Sequence, residues 1–211
     1  WFIGAVVCPF TDFFERYGGR VALLILAFVG SYRLADFSMG VMANPFYIDM
    51  GFSLKEIAAI AKGVAVVMSL IGALAGGLAV ARLGSVRSLL LGSVMVIAAN
   101  LLFAAFAHYG QPNLWGLGLV VGADNLAMGV AGTALVAYLS SLTSANYTAT
   151  QYALFSSAYA LPGKLLMGAS GFVVDAIDYP AFFCYTASLG LPALVLLFFL
   201  APHVRDKHAD G

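Results

Sequence analysis

Residues 54–80 read LKEIAAIAKGVAVVMSLIGALAGGLAV, and this stretch decides the fold. Charge appears in it only at Lys55, Glu56 and Lys62, and the eighteen residues after Lys62 carry none. A helix needs about 20 mostly apolar residues to cross the hydrocarbon layer of a bilayer. Barrel strands would alternate apolar and polar residues with a period of two, which this run does not do. The stretch reads as a membrane-spanning helix.

Working outward, five further segments meet the same criterion: 21–48, 88–107, 113–139, 150–177 and 181–201. The breaks between spans carry turn residues: Asp49-Met50-Gly51, 82–87, 108–112, 140–147 and Asp178-Tyr179-Pro180. Short connections predict that successive helices are antiparallel neighbours. The chain is therefore expected to be an all-α membrane protein with a six-helix bundle over 21–201, a linker helix within 1–20 and a tail over 202–211. Composition agrees: 62% of the 211 residues are apolar and 9% charged, against about 45–50% and about 25% in soluble domains. Ten basic residues balance ten acidic ones, so no basic face calls for nucleic acid. Cys8 and Cys184 are too few for a disulfide framework, and neither a metal nor a cofactor is expected.

Basic residues in short loops set orientation. Arg16, Arg20, Arg82, Arg87, Arg205 and Lys207 fall on the side shared by both ends, and Lys55, with Lys62 close by, on the other. Both termini are expected in the cytoplasm. Before the first span, Phe10, Phe13, Phe14 and Tyr17 recur at helical spacing with Asp12, Glu15 and Arg16 between them. That pattern suits a helix in the headgroup plane, or an amphipathic helix packed on the bundle. The first residue is Trp1 rather than methionine, and the expectation is a sequence that starts within a longer one.

Charges at mid-membrane are the best pointers to function, because each costs about 2.5–3.5 kcal/mol on insertion scales. Arg33 and Asp36 stand one turn apart near the centre of the first span, Asp124 and Asn125 mid-way along the fourth, and Lys164 mid-way along the fifth. Gly168, Gly171 and Asp175 share a helical stripe with Lys164, while Tyr152, Ser156 and Tyr159 lie on a neighbouring strip. Pro162 lacks an amide donor and crowds the Ala158 carbonyl, which predicts a hinge before Lys164. Two readings follow: Arg33 or Lys164 ties to Asp124 or Asp36 as a structural pair, or these groups line a path for substrate or protons. Snorkelling explains Lys62 and Asp175 near span ends. Gly72 with Gly76, and Gly118 with Gly122, read as helix-packing pairs.

The stretch Gly168-Ala169-Ser170-Gly171 looks like the G-x-S-G of intramembrane serine proteases, whose chemistry needs a histidine base beside the serine. His108, His203 and His208 all fall outside the spans, and no H-E-x-x-H occurs. An enzyme is not expected.

The loop from Gly77 through Arg82 and Gly84 to Arg87 resembles the G-x-x-x-D-R-x-G-x-x-R signature of the major facilitator superfamily, with Ala81 at the acidic position. Tyr32-Arg33-Leu34-Ala35-Asp36 is similar to the Y-R-L-x-D of the AmpG muropeptide permease family. So are the run from Asp124 to Ala134 with Ala137-Tyr138-Leu139-Ser140-Ser141-Leu142, the run from Tyr147 to Leu154, and Leu161-Pro162-Gly163-Lys164. Together these cover most of residues 9–200. A departure is Thr143-Ser144-Ala145-Asn146, which lacks the basic residue expected there.

The resemblance implies the C-terminal six helices of a twelve-helix transporter, partnered by an N-terminal six-helix half in the same or another chain. It implies a multi-pass protein of the bacterial inner membrane that imports anhydro-muropeptides, anionic sugar-peptides of peptidoglycan recycling, as a proton-coupled symporter. On that reading Arg33 and Lys164 meet substrate carboxylates, and Asp36 and Asp124 are the proton-coupling candidates. Asn125 and Gln151 hydrogen-bond the sugar or peptide, Tyr152 or Tyr159 stacks on a sugar ring, and Pro162 bends. A related branch carrying acetyl-coenzyme A or another anionic solute is the alternative within the fold. A half-bundle that transports nothing and acts as a scaffold or partner subunit is the alternative outside it.

Overall fold

A computed structural model describes residues 7–205, with side chains to Leu200. The expected start of the linker at 1–6, and the end of the tail at 206–211 with Lys207 and His208, lie outside the described residues. The described residues are helical apart from short turns: α1 Cys8–Tyr17, α2 Gly19–Tyr32, α3 Leu34–Asp49, α4 Leu54–Ile60, α5 Val66–Leu83, α6 Ser85–Tyr109, α7 Leu114–Leu142, α8 Thr148–Leu189 and α9 Leu191–Arg205. Helices α2 and α3 are the first span, interrupted at Arg33, where φ is −106° and ψ 10°. Helices α4 and α5 are the second, joined by one π-helical turn over Ala61–Ala65.

The breaks follow local chemistry. Gly84, at φ 81°, turns α5 into α6 in a single residue, so the expected loop over 82–87 is shorter, and Arg82 and Arg87 stand on helix ends. Ser53 caps α4 through a reciprocal capping box with Glu56. Asp178 adopts φ 61° and ψ 165° inside α8, separating the fifth span from the sixth at the expected place. Helix α9 runs to Arg205, into the residues expected as the tail.

Adjacency in sequence does not set packing. Helix α5 packs chiefly on α7, and α8 on α3 and α6, whereas α7 and α8 touch little; successive spans are thus not all close neighbours. Glycine seams explain the first pairing. A side chain at Gly72 would run into the Leu126 carbonyl, and one at Gly129 would come within 2.6 Å of the Ser69 carbonyl. The two backbones touch because neither residue carries a Cβ. Gly118 is a looser neighbour, with Ile60 Cδ1 3.8 Å from where its Cβ would be.

Two buried clusters fill the bundle. One gathers Phe28, Tyr32, Leu89, Ala131, Tyr138 and Phe155 towards the α1 end. The other is largely aromatic, with Phe46, Phe103 and Phe183 in mutual ring contact at 5.0–6.3 Å between centroids.

Candidate functional site

The polar residues of the spans fall where one cluster gives way to the other. Along α3, Ala35 belongs to the first cluster and Met39 to the second, with Asp36 between them. Along α6, Asn100 lies between Ala99 and Phe103, and along α7 Asp124 and Asn125 lie between Val121 and Ala127. Along α8, Lys164 and Ser170 lie between Tyr159 and Val173. The sequence thus builds a polar layer between two apolar ones.

Arg33 and Asp36 form its centre. Arg33 Nε lies 3.0 Å from Asp36 Oδ2, with the side chains 19% and 4% exposed. The contact lacks hydrogen-bond alignment, and Asp36 Oδ1 has no partner among the described residues. A buried carboxylate with an unused oxygen is a costly arrangement, and such groups concentrate where a ligand or a proton arrives. Asp124 stands on the neighbouring α7, eight residues before Gly132. Gly132 of α7 stands under Arg33 Nη1, 3.5 Å from where a Cβ would be. Tyr32 fixes the neighbouring backbone: its hydroxyl donates towards the carbonyls of Leu89 at 3.3 Å and Ala131 at 3.5 Å. The helix break at Arg33 falls beside this pair, and interrupted helices at mid-membrane are typical of transporter binding sites.

Lys164 stands apart from the pair. It is exposed, makes no ion pair among the described residues, and shares an open face with Gly168 and Gly171, where added Cβ atoms would meet nothing. Its depth nevertheless matches the pair. The Phe37 ring presses on Gly163, and the Arg33 guanidinium carbon lies 6.0 Å from the centre of that same ring. Of the ties expected of Arg33 or Lys164 with Asp124 or Asp36, the structure holds Arg33 with Asp36, and within one span. Tyr152 and Tyr159 are half-buried on α8 against the first cluster.

The structure places Pro162, Asn125 and Gln151 within helices. The backbone dihedrals stay helical at Pro162, the non-helical residue inside α8 being Asp178; the carbonyl of Ala158, deprived of its helical donor, faces Gly30 at 3.4 Å from a virtual Cβ. Asn125 turns its amide back on its own helix, donating to the Val121 carbonyl at 2.8 Å. Gln151 sits far along α8 from the polar layer, 1% exposed. Its amide nitrogen donates to Pro9 O and Asp12 Oδ2 at 2.9 and 2.8 Å, and its oxygen accepts from Arg16 Nη2 and the Ser144 amide at 3.0 and 2.8 Å. Protein groups therefore occupy the bonds expected to meet a ligand.

Gly77 within α5, Arg82 near its end, Gly84 at the α5–α6 turn and Arg87 in the first turn of α6 are all exposed. Ser170 is 2% exposed and its hydroxyl donates to the Leu166 carbonyl at 3.2 Å, an ordinary back-bond within a helix. Sequence reasoning missed the buried pair of Asn100 and Thr186, whose hydroxyl donates to Asn100 Oδ1 at 2.6 Å. An asparagine among apolar neighbours was the available signal.

No family model matches the chain. Among curated proteins it is 36% identical over 213 residues to an uncharacterized protein of Haemophilus influenzae, covering 98% of this chain and 50% of that protein. It is 35% identical over 203 residues to a Rickettsia conorii protein named putative transporter AmpG 4, covering 96% of this chain and 48% of the relative. It is 31% identical over 195 residues to the anhydromuropeptide permease of Escherichia coli, covering 92% and 39% respectively. The chain spans about half the length, or less, of these relatives.

Proposed function

We propose, on the premise that this chain belongs to the AmpG family, that it supplies the C-terminal six-helix half of a major facilitator superfamily carrier importing anhydro-muropeptides with protons. The similarity to an anhydromuropeptide permease supports the substrate class. One structural observation carries the site: an ion pair of half-buried Arg33 and buried Asp36 at a helix break, against α7, the helix that also carries Asp124.

The chemistry follows from competition for one cation. A substrate carboxylate arriving at Arg33 competes with Asp36 Oδ2 for the guanidinium. Once released, Asp36 is a carboxylate without a counter-ion in an apolar surround, and taking a proton removes that cost. Substrate binding and proton binding then favour each other through a shared arginine. Lys164, on the open face at the same depth, offers a second positive group to an anionic ligand bound against the remainder of the carrier. In this reading the cavity is completed by the N-terminal half, the two halves rock about it, and the protein lies in the inner membrane with both termini cytoplasmic.

The test is uptake of radiolabelled anhydromuropeptide into membrane vesicles with an imposed proton gradient. Asp36→Asn and Asp124→Asn are each expected to lower gradient-driven uptake by roughly tenfold or more at unchanged amounts of membrane-inserted protein. Wild-type uptake with an undiminished response to the gradient in both variants would remove the proton role. Uptake by Arg33→Gln equal to wild type would remove the anion role.

A further inference from the structure

Helix α1 does more than connect. Its apolar side is seated on the bundle, with Phe13 2% exposed and its ring 5.1 Å from that of Phe155. Its polar side is bonded to both α7 and α8. Arg16 Nε donates to Asp12 Oδ2 at 2.9 Å, and Arg16 Nη2 donates both to Gln151 Oε1 at 3.0 Å and to the carbonyl of Leu142 at 3.1 Å. Leu142 is the last residue of α7, so its carbonyl is one of those a helix end leaves without an internal partner, and a cation is the complement for that end. Gln151 belongs to the first turns of α8 and also accepts from the Ser144 amide in the turn between the two helices.

These bonds matter because α7 and α8 approach each other little along their lengths. Helix α7 is packed on α5 and α6, and α8 on α3, α6 and α2. Charge-assisted bonds from α1 therefore add to the five-residue turn and to the shared buried cluster of Tyr138, Leu142 and Phe155 in fixing the two adjoining ends. The same two helices carry Asp124 and Lys164. We propose that Asp12, Arg16 and Gln151 are positioning residues forming a latch, by which α1 clamps the adjoining ends of α7 and α8, and that the latch opens in each transport cycle. The second clause rests on the transport reading; the clamp itself does not.

Two measurements on the intact protein in membranes test it, both with Cys8 and Cys184 changed to serine. In the first, spin labels at Glu15→Cys and Ser140→Cys, both exposed, report the separation of α1 from the end of α7. Gln151→Leu is expected to move most of the distance distribution to longer values. Distributions in Gln151→Leu indistinguishable from wild type overturn the clamp. In the second, Phe10→Cys and Leu154→Cys, which line one groove of about 300 Å³ between α1 and α8, are joined by a short reversible bifunctional thiol reagent. Joining is expected to reduce anhydromuropeptide uptake by roughly tenfold or more, with recovery on adding reductant. Joined protein that transports at the unjoined rate overturns the opening. If unjoined protein takes up nothing, the transport reading has failed and with it the opening, while the label distances still decide the clamp.

Discussion

Asp178 holds φ 61° and ψ 165°, a region where side chains other than that of glycine meet their own backbone at a cost of about 1–3 kcal/mol. Glycine there would lose about 0.5–1 kcal/mol more entropy on folding, so relief of strain wins. Asp178→Gly is expected to stabilise the protein by about 1 kcal/mol, seen as a higher melting temperature in detergent; an unchanged or lower value contradicts the strained backbone. The opposite sign is expected inside the bundle. Thr186→Val leaves Asn100 Oδ1 without its 2.6 Å donor at a site 0% exposed, for a loss of about 1 kcal/mol. Equal stability of Thr186→Val and wild type would show the hydrogen bond to contribute nothing. These two residues differ in legibility for a physical reason. The break at Asp178 is written locally, because aspartate before Tyr179-Pro180 ends an apolar run. The partner of Asn100 lies 86 residues away, and no local rule selects Thr186 for it. Gln151 misled for the same cause: an amide among apolar residues declares that it needs partners, not whether they are a sugar or α1.

Elements were legible as lengths and poorly legible as neighbours. Uncharged runs give each span because the bilayer demands them, and glycines four apart mark a face where a backbone comes close. Which backbone it is depends on surfaces meeting in space, so Gly72 and Gly76 announced a seam without naming α7. The π-turn at Ala61–Ala65 and the break at Arg33 carry no proline and were silent. The seam predicts that Gly129→Val, whose Cβ would lie 2.6 Å from the Ser69 carbonyl and 2.7 Å from the Ala73 amide nitrogen, pushes α5 from α7. A destabilisation of about 1–3 kcal/mol is expected, against little effect for Gly77→Ala, which meets open space; equal melting temperatures for the two would refute the seam. Docking of α1 has its own dependence on acidity. The Asp12 carboxyl is held below the ordinary carboxylate range, chiefly by the hydrogen bond from Gln151 and then by the Arg16 charge. A carboxyl with a lowered folded-state pKa contributes its stabilisation above the unfolded value and loses it as pH falls through the folded one. Docking should therefore be constant through neutral pH and weaken only below the usual aspartate range, and Asp12→Asn should remove that acid limb from the spin-label distances.

At the scale of the molecule, the helices are longer than the layer they cross. Helices α6 and α7 have 25 and 29 residues, or about 37 and 43 Å at 1.5 Å per residue, against a hydrocarbon thickness of about 30 Å. Their ends must tilt or stand clear of the oil, which places their turns within reach of aqueous reagents. The α3–α4 turn and the α6–α7 turn at Gln111 share one end of the bundle, since Phe52 of the first meets Phe106 beside the second at 6.4 Å. The α5–α6 turn at Gly84 and the α7–α8 turn share the other with α1, through Arg16 and the Leu142 carbonyl. Arg16, Arg20, Arg82 and Arg87 all lie at this second end, and cytoplasmic loops collect such residues. In a background lacking Cys8 and Cys184, Gln111→Cys should react with a membrane-impermeant maleimide added to intact cells, and Asn146→Cys only after permeabilisation. Both residues are exposed, so a failure to react reports the barrier rather than burial. Reaction of Asn146→Cys from outside, with Gln111→Cys protected, would invert the orientation and place the α1 latch on the side from which substrate enters.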